Sequence, residues 1–328
     1  MQRDQNRDDM TRPRVILTGP LHPDARAQLE SCVEVIDLSD ADEKLAEELP
    51  TADGLLVRTG THVDAAILDA APRLRVVARP GAGLDNIDLQ ACKEHDVTVV
   101  YAPGANAQGV AEYVMTLVCD AIRPRTKVTA PMTPEAWSAA RAAGMAPRQM
   151  SELTFGILGM GHVGRRVAQA AGGLGFRVLY HDVIEMDSCD RFGATRASLM
   201  GLLEESDVLS LHVDGRSSNR HFMRDTRLSC LKPTVLLINT SRGFIVDNFA
   251  LRSFLDSNPQ SHAILDVHDP EPLSKENPLW GSANVDFYPH LASRTAAAER
   301  AMSGVVDDLI AVLSGQLPRA GTVASTPL

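Results

Sequence analysis

Apolar residues along this chain fall into short β-branched runs separated by stretches with helical spacing, and this alternation occurs in two successive series. The first series has apolar runs at 15–18, 33–37, 54–57, 74–78 and 98–101. The segments between them, at 23–30, 43–48, 64–70 and 89–95, have helix-forming composition. Strands that alternate with helices imply parallel strands joined by crossover helices, so the first hundred residues are expected to form one doubly wound α/β unit. A second series of six predicted strands lies at 153–158, 177–180, 208–212, 235–239, 263–266 and 285–288. Six such strands suit a full dinucleotide-binding sheet.

Between the two series, 107–123 carries a helical stripe of Val110, Val114, Leu117, Val118 and Ala121 after the turn-prone Pro103-Gly104. It reads as a helix leading out of the first unit. Residues 124–150, rich in Pro, Ala and Arg, are expected to be a loop with one short helix. The run 295–314 is again amphipathic, with Met302, Val305, Val306, Leu309 and Leu313 on one side. It is long enough to pack back across the first unit, which would make that domain discontinuous. The expected organisation is therefore a domain of 12–106 plus 295–328 and a second of 107–294. A length of 328 residues suits two domains. Residues 1–11 read as a disordered lead-in, and 318–328 have a similar loop-like composition.

Composition narrows the partners. A net charge of −10 and an aromatic share of 4% argue against a nucleic-acid backbone or a base-stacking surface. No apolar run approaches the roughly 18 residues of a membrane span, and Met1 to Arg14 lacks the apolar core of a signal peptide. The cysteines Cys32, Cys92, Cys119, Cys189 and Cys230 are odd in number and scattered, with no Cys-x-x-Cys pair. They suit a reducing, cytoplasmic interior. No metal is expected, because no His, Cys, Asp or Glu cluster has ligand spacing.

The first chemical signal is Phe155-Gly-Ile-Leu-Gly-Met-Gly-His-Val-Gly164, in which Gly159-x-Gly161-x-x-Gly164 follows an apolar strand and opens a helical stripe. The first glycine permits a tight turn, the second admits a pyrophosphate close to the backbone, and the third allows helix and strand to pack closely. The next strand ends in Tyr180-His-Asp182, placing a carboxylate about 20 residues past the glycines, where it can accept from ribose hydroxyls. That carboxylate would repel a 2′-phosphate, so NAD is expected in preference to NADP. His162 and Val163 at the helix start, and His212 and Val213 after a later strand, read as residues near the cofactor, as do Thr240 and Ser241.

Three downstream segments each follow a predicted strand: Asn239-Thr-Ser-Arg242-Gly243, Asp266-Val-His-Asp-Pro-Glu271-Pro, and Pro289-His290. Together with Val76-Val-Ala-Arg-Pro-Gly-Ala-Gly-Leu-Asp-Asn-Ile-Asp88 and Ala102-Pro-Gly-Ala-Asn106 through Glu112, they make the chain closely resemble the D-isomer-specific 2-hydroxyacid dehydrogenases from about Asp53 to Leu317. The resemblance implies a flavodoxin-like substrate domain, a Rossmann NAD-binding domain, and an active site in the cleft between them. It implies that Arg242 holds the substrate carboxylate, Glu271 contacts the histidine, and His290 exchanges the proton. It also implies that Asp266 lies beside the nicotinamide amide, and that Gly81, Ala82, Gly83 and Asn106 face the substrate.

The chemistry asks for these side chains in its own right. Hydride delivery to a 2-oxo carbon leaves negative charge on oxygen, so an acid poised near neutral pH must supply a proton, and histidine fits. A carboxylate partner favours the imidazolium and fixes the ring. Arginine grips a carboxylate with two parallel hydrogen bonds, which lysine does not reproduce.

Arg58 and Arg79 resemble arginines that serve an anionic substrate in the D-3-phosphoglycerate dehydrogenase branch, and feedback through a regulatory domain of the kind appended to some of that branch is not expected. Pro80, Thr59-Gly60 and Asp214-Gly-Arg216 depart from the pattern expected there. Alternative readings are a hydroxypyruvate or glyoxylate reductase and an NAD-sensing corepressor. The resemblance also suggests a homodimer formed through the cofactor domain and the helix after Asn106.

Overall fold

The computed structural model describes residues 12–123, 125–184 and 192–324. The lead-in at 1–11 and Cys189 lie outside them. The chain divides into two compact units, one reaching Asn106 and resuming at Thr295, the other running from Ala107 to Arg294.

The first unit begins with β1 (Arg14–Leu17), α1 (Pro23–Cys32), β2 (Glu34–Asp37), α2 (Leu45–Glu48), β3 (Gly54–Leu56), α3 (Ala65–Asp69), β4 (Val76–Arg79), α4 (Leu89–Glu94) and β5 (Thr98–Tyr101). All its strand pairs are parallel, in the order β2-β1-β3-β4-β5, which is the flavodoxin-like doubly wound arrangement. Central strands β3 and β4 are buried along their whole length, as continuous apolar runs should be when helices cover both faces. Two helix starts are set by acids: Asp64 accepts from the Ile67 amide, and Asp88 from the amides of Gln90 and Ala91.

The second unit contains α5 (Ala107–Ile122), α6 (Pro134–Ala143), β6 (Thr154–Leu158), α7 (His162–Gly173), β7 (Arg177–His181), β8 (Ala194–Arg196), α8 (Leu199–Glu205), β9 (Val208–Leu211), α9 (Asp225–Leu228), β10 (Leu236–Asn239), α10 (Asn248–Ser257), β11 (His262–Leu265) and β12 (Val285–Phe287). Its sheet has seven parallel strands in the order β12-β11-β10-β9-β6-β7-β8, the Rossmann order with one further strand. The chain enters at β6, winds outward to β8, crosses back to β9 and continues to β12. The strand without a counterpart among the six predicted is β8. Of its Ala-Thr-Arg only Ala194 is buried, so an edge strand of three residues leaves no apolar run to read.

The predicted run at 295–314 is two helices, α11 (Ala296–Ser303) and α12 (Val305–Leu313), separated at Gly304. Both belong to the first unit. Val305, Val306, Leu309 and Leu313 share one core with Val15, Leu17, Leu56, Val76 and Ala78. Glycine costs roughly 1 kcal/mol in a helix interior, and here it marks the break between the two helices. The tail beyond Pro318 is a loop, in keeping with its composition, and is pinned as far as Ala324. Arg319 pairs with Asp308, which is 1% exposed, and Tyr101 N–H donates to Thr322 O while Ala324 N–H donates to Val99 O.

Candidate active site

Strand register brings the chemistry of the second unit to one edge. Leu265 pairs with Asn239 and Phe287, Leu211 with Asn239 and Leu158, and Leu158 with His181, so six neighbouring strands end level. The glycine loop, Asp182 and the segments carrying Arg242, Glu271 and His290 each leave a strand at this carboxyl edge, where ligands of open α/β sheets bind.

The three glycines of the 159–164 loop meet different surroundings. Gly159 has φ +96°, and a Cβ there would lie 2.6 Å from the His212 carbonyl oxygen. A Cβ on Gly164 would collide with the carbonyl oxygen of Gly159, so this glycine sets how closely α7 approaches β6. Gly161 is different: its φ is −74° and a Cβ would meet nothing within 4 Å. Neither backbone conformation nor protein packing demands glycine there, so open space is kept beside the uncapped start of α7, where His162 and Val163 lie. Free helix-start N–H groups facing such a space form an anion site. Thr240 Oγ1, buried and without a hydrogen-bond partner among the described residues, adds a polar atom suited to a ligand. These features fit a dinucleotide.

Asp182 sits one residue past β7 and braces this loop. Its carboxylate accepts from the Met160 amide at 2.7 Å and from the Ile184 amide at 2.9 Å. A carboxylate offers about four lone-pair directions, which leaves capacity for ribose hydroxyls. His212 turns its ring toward Ser210, with Nε2 2.8 Å from Oγ, and burial pushes its pKa down to about 3. What His212 presents to the glycine loop is its backbone carbonyl.

His290 and Glu271 meet directly, Nδ1 to Oε2 at 2.8 Å. Glu271 is fixed on its other oxygen by the His268 amide at 3.0 Å. Burial acts to raise the Glu271 pKa, but the hydrogen bonds from His290 and the His268 amide outweigh it and hold the carboxyl below its usual range. His290 has φ +55°, a left-handed conformation costly for a residue with a Cβ. Its amide donates to Asp266 O at 2.8 Å and Tyr288 O at 3.1 Å, which sets that turn. Asp266 is fully buried, and its two oxygens accept from the amides of Leu291 at 2.8 Å and Ala292 at 2.9 Å. Backbone and side chain of one acid thus hold the segment that presents the histidine.

Arg242 lies three residues past β10, with Nη1 donating to Ser241 O at 2.7 Å. Asn239, 1% exposed, shapes this turn: Nδ2 donates to Arg242 O at 2.8 Å and Oδ1 accepts from Ser241 N and Oγ. A Cβ on Gly243 would collide with the His268 backbone, so the loop carrying Arg242 packs against the loop carrying Glu271 only because residue 243 is glycine. Gly243→Ala is expected to lower kcat/KM by about tenfold or more, since forced backbone shifts in a packed site displace catalytic groups. Steady-state kinetics of the purified variant test this, and an unchanged kcat/KM would show that the two loops need not touch.

In the first unit, Arg58 and Arg79 follow β3 and end β4. Arg79 is 8% exposed, lies across Gly81, and donates from Nη2 to Thr59 Oγ1 at 3.1 Å. Arg58 Nη1 is 3.4 Å from Pro80 O. Asn86 braces this turn by donating to Arg58 O at 3.0 Å and Thr61 O at 2.6 Å. Gly81, Ala82 and Gly83 follow β4, and Asn106 closes the unit with a buried Oδ1 lacking a hydrogen-bond partner among the described residues.

Residues 115–292 match the family model described as "D-isomer specific 2-hydroxyacid dehydrogenase, NAD binding domain". The chain belongs to this family. This dehydrogenase is 34% identical over 320 residues to a glyoxylate reductase of Aeropyrum pernix, spanning 94% of the chain and 95% of that relative. It is 34% identical over 311 residues to the D-3-phosphoglycerate dehydrogenase of Mycobacterium tuberculosis, where it spans 94% of the chain but only 58% of that relative. Among solved structures, the D-lactate dehydrogenase of Aquifex aeolicus, complexed with NAD and lactic acid, superposes with a TM-score of 0.80 at 26% identity, covering 96% of this chain and all of that one.

Some supporting contacts of the dehydrogenase site do not follow from motif spacing. Asn239, Gly243 and the His268 amide sit inside the motifs and act through backbone contacts that spacing does not show. Tyr113 of α5 packs edge to face on Tyr288, with ring centroids 6.0 Å apart, behind the turn that leads to His290. Its hydroxyl is buried, and burial pushes its pKa up to about 12. Among the described residues no cluster of three or more His, Cys, Asp or Glu side chains could hold a metal, and no helix is long and apolar enough to cross a membrane.

Proposed function

We propose that this dehydrogenase interconverts a small D-2-hydroxy acid and its 2-oxo acid, with Arg242, Glu271 and His290 as the catalytic group. The observation that carries the reading is the 2.8 Å pairing of His290 Nδ1 with Glu271 at the strand edge that also presents Arg242. NAD, when bound, supplies or accepts the hydride. With Nδ1 committed to Glu271, His290 has Nε2 left to give a proton to the oxygen of the 2-oxo acid, or to take one from the 2-hydroxy acid. Arg242 is suited to the substrate carboxylate, and its guanidinium polarises the adjacent carbonyl. The cofactor group is Gly159, Gly161, His162, Val163, Gly164, Asp182, His212, Val213, Thr240, Ser241 and Asp266. NAD is preferred over NADP because the Asp182 carboxylate accepts from free ribose hydroxyls and repels a 2′-phosphate.

The substrate-facing set is Arg58, Arg79, Gly81, Ala82, Gly83 and Asn106, and two substrates compete for it. Two arginines at neighbouring strand ends suit the phosphate of phosphohydroxypyruvate, the oxo partner of 3-phosphoglycerate. Against this, Arg79 spans Gly81 to reach Thr59, and Arg58 reaches Pro80 O. Arginines engaged with their own loops favour the second reading, glyoxylate or hydroxypyruvate. Oxidation of NADH by the purified protein across phosphohydroxypyruvate, hydroxypyruvate, glyoxylate and pyruvate separates them. A kcat/KM for phosphohydroxypyruvate no higher than for hydroxypyruvate would remove the phosphate role. NADH binding without any turnover would support an NAD-sensing binding protein instead.

Glu271→Gln tests the acid–base pair. The wild-type carboxyl is held below its usual range, so it is a charged acceptor for His290 Nδ1. Glutamine keeps the shape and one acceptor oxygen but removes the countercharge beside the proton-donating ring, so kcat for 2-oxo-acid reduction is expected to fall by about tenfold or more. An unchanged kcat in steady-state kinetics would show that Glu271 only orients the ring.

A homodimer through the second unit is supported by α6, none of whose residues is buried. Trp137 there is 50% exposed, and Met145 just beyond it is 78% exposed. Large apolar side chains gathered on one segment mark association surfaces. Light scattering is expected to give twice the chain mass, and a monomer mass would refute the dimer.

A further inference from the structure

Two residues past His212, the loop after β9 carries Asp214-Gly-Arg216, a departure from the family pattern that has no role in the mechanism above. Arg216 folds back onto its own loop. Its Nε donates to the two Asp214 oxygens at 2.7 and 3.0 Å, and Nη2 to Oδ2 at 2.5 Å. Asn219 Nδ2 adds donors to Asp214 Oδ1 and to Asp214 O, each at 3.0 Å. The two charged side chains stay about half exposed, 48% for Arg216 and 55% for Asp214, so the pair is built at the surface and not in the core.

Its position is set by the sheet. Leu211, Leu158 and His181 are level neighbours on β9, β6 and β7. The glycine loop leaves from the middle strand of the three. Asp182 follows β7 on one side of that loop, and Asp214 follows β9 on the other. The charge of Asp182 reaches Arg216: the Asp214 hydrogen bonds and charge raise the Arg216 pKa, burial opposes them, and Asp182 adds to the rise. A guanidinium is therefore stationed near the acid that governs the ribose end of the dinucleotide site.

A ribose with a free 2′-hydroxyl needs an acceptor at this end, whereas a 2′-phosphate needs a cation with a planar fork of donors. Arg216 has the right chemistry for the phosphate but spends its fork on Asp214. We propose that Asp214 is a positioning residue for cofactor selectivity: by holding Arg216 against its own loop, it denies the guanidinium to a 2′-phosphate and deepens the preference for NAD. The preference thus rests on two acids, Asp182 by direct contact and Asp214 through Arg216. This inference rests on the NAD-binding reading of the second unit.

The test is a binding titration followed by nicotinamide fluorescence, with NADH and NADPH, on the full-chain wild type and on Asp214→Asn, Asp214→Ala and Asp214→Ala/Arg216→Ala. Asparagine keeps an oxygen for Asn219 and so preserves the loop. With the arginine released, the ratio of the NADPH to the NADH dissociation constant is expected to fall roughly tenfold in both single variants, the scale of one charge-assisted hydrogen bond. Removing Arg216 as well should return the ratio to the wild-type value. A ratio that stays constant, with NADH and NADPH affinities unchanged or weakened in parallel, would reduce Asp214 to a brace for its loop and overturn the proposal. A gain that survives loss of Arg216 would overturn it too, assigning the effect to the Asp214 charge alone. Wild-type protein that binds neither cofactor would instead refute the underlying NAD reading, and the proposal with it.

Discussion

Replacing His290 with asparagine is expected to lower kcat for 2-oxo-acid reduction by about 10²–10⁴-fold, the usual contribution of a general acid, while NADH still binds. Asparagine is the informative substitution because residue 290 has φ +55°, and asparagine tolerates that region far better than alanine does. The backbone turn therefore survives, and the loss is assigned to the missing proton donor. His290 contacts Glu271 and the backbone of the Asp266 turn, not the glycine loop, so cofactor affinity is a fair control for folding. Stopped-flow reduction and an NADH titration make the two measurements. A kcat near that of the wild type would remove His290 from the acid–base role.

Asp266→Asn is expected to be the most damaging change to stability in the site. The side chain is fully buried, and each of its oxygens accepts one backbone amide, from Leu291 and from Ala292. An asparagine oxygen serves one of those amides, but its NH₂ group faces the other, donor to donor. A buried donor left unsatisfied costs about 1–3 kcal/mol. For a unit of this size that lowers Tm by roughly 3–10 °C. The segment that loosens is the one carrying His290, so kcat should fall as well, without any change to a reacting atom. Thermal unfolding by circular dichroism and steady-state kinetics on one preparation test this. An unaltered Tm would mean that the two amides find other acceptors, and that the segment does not depend on this carboxylate.

What could be read before folding, and what could not, follows from the range of the interaction. The glycine loop is legible because its three requirements, a positive φ at Gly159, open space at Gly161 and close packing at Gly164, act within six residues of one another. Strands β3, β4, β6 and β9 are legible because burial on both faces forces continuous apolar runs. Strand β8 is not, since an edge strand of three residues with one buried side chain carries too few hydrophobic positions to stand out. The break at Gly304 is equally hidden, because the apolar spacing runs on through it.

The sequence by itself determined the two alternating series of strands and helices and the glycine loop, which depend on local spacing, while its resemblance to the family pointed to Arg242, Glu271 and His290. Only the tertiary structure decided how those groups are held. The Glu271 contact with His290 spans 19 residues, the Asp266 grip on Ala292 spans 26, and the fit of Gly243 against His268 depends on two loops from different strands. Folding also set the His212 ring on Ser210, tied Arg79 to Thr59, and closed Arg216 onto Asp214 within one loop. The contacts that join different loops are made by strand order and register bringing those loops to a sheet edge, and no pattern along the chain records which loop will lie beside which.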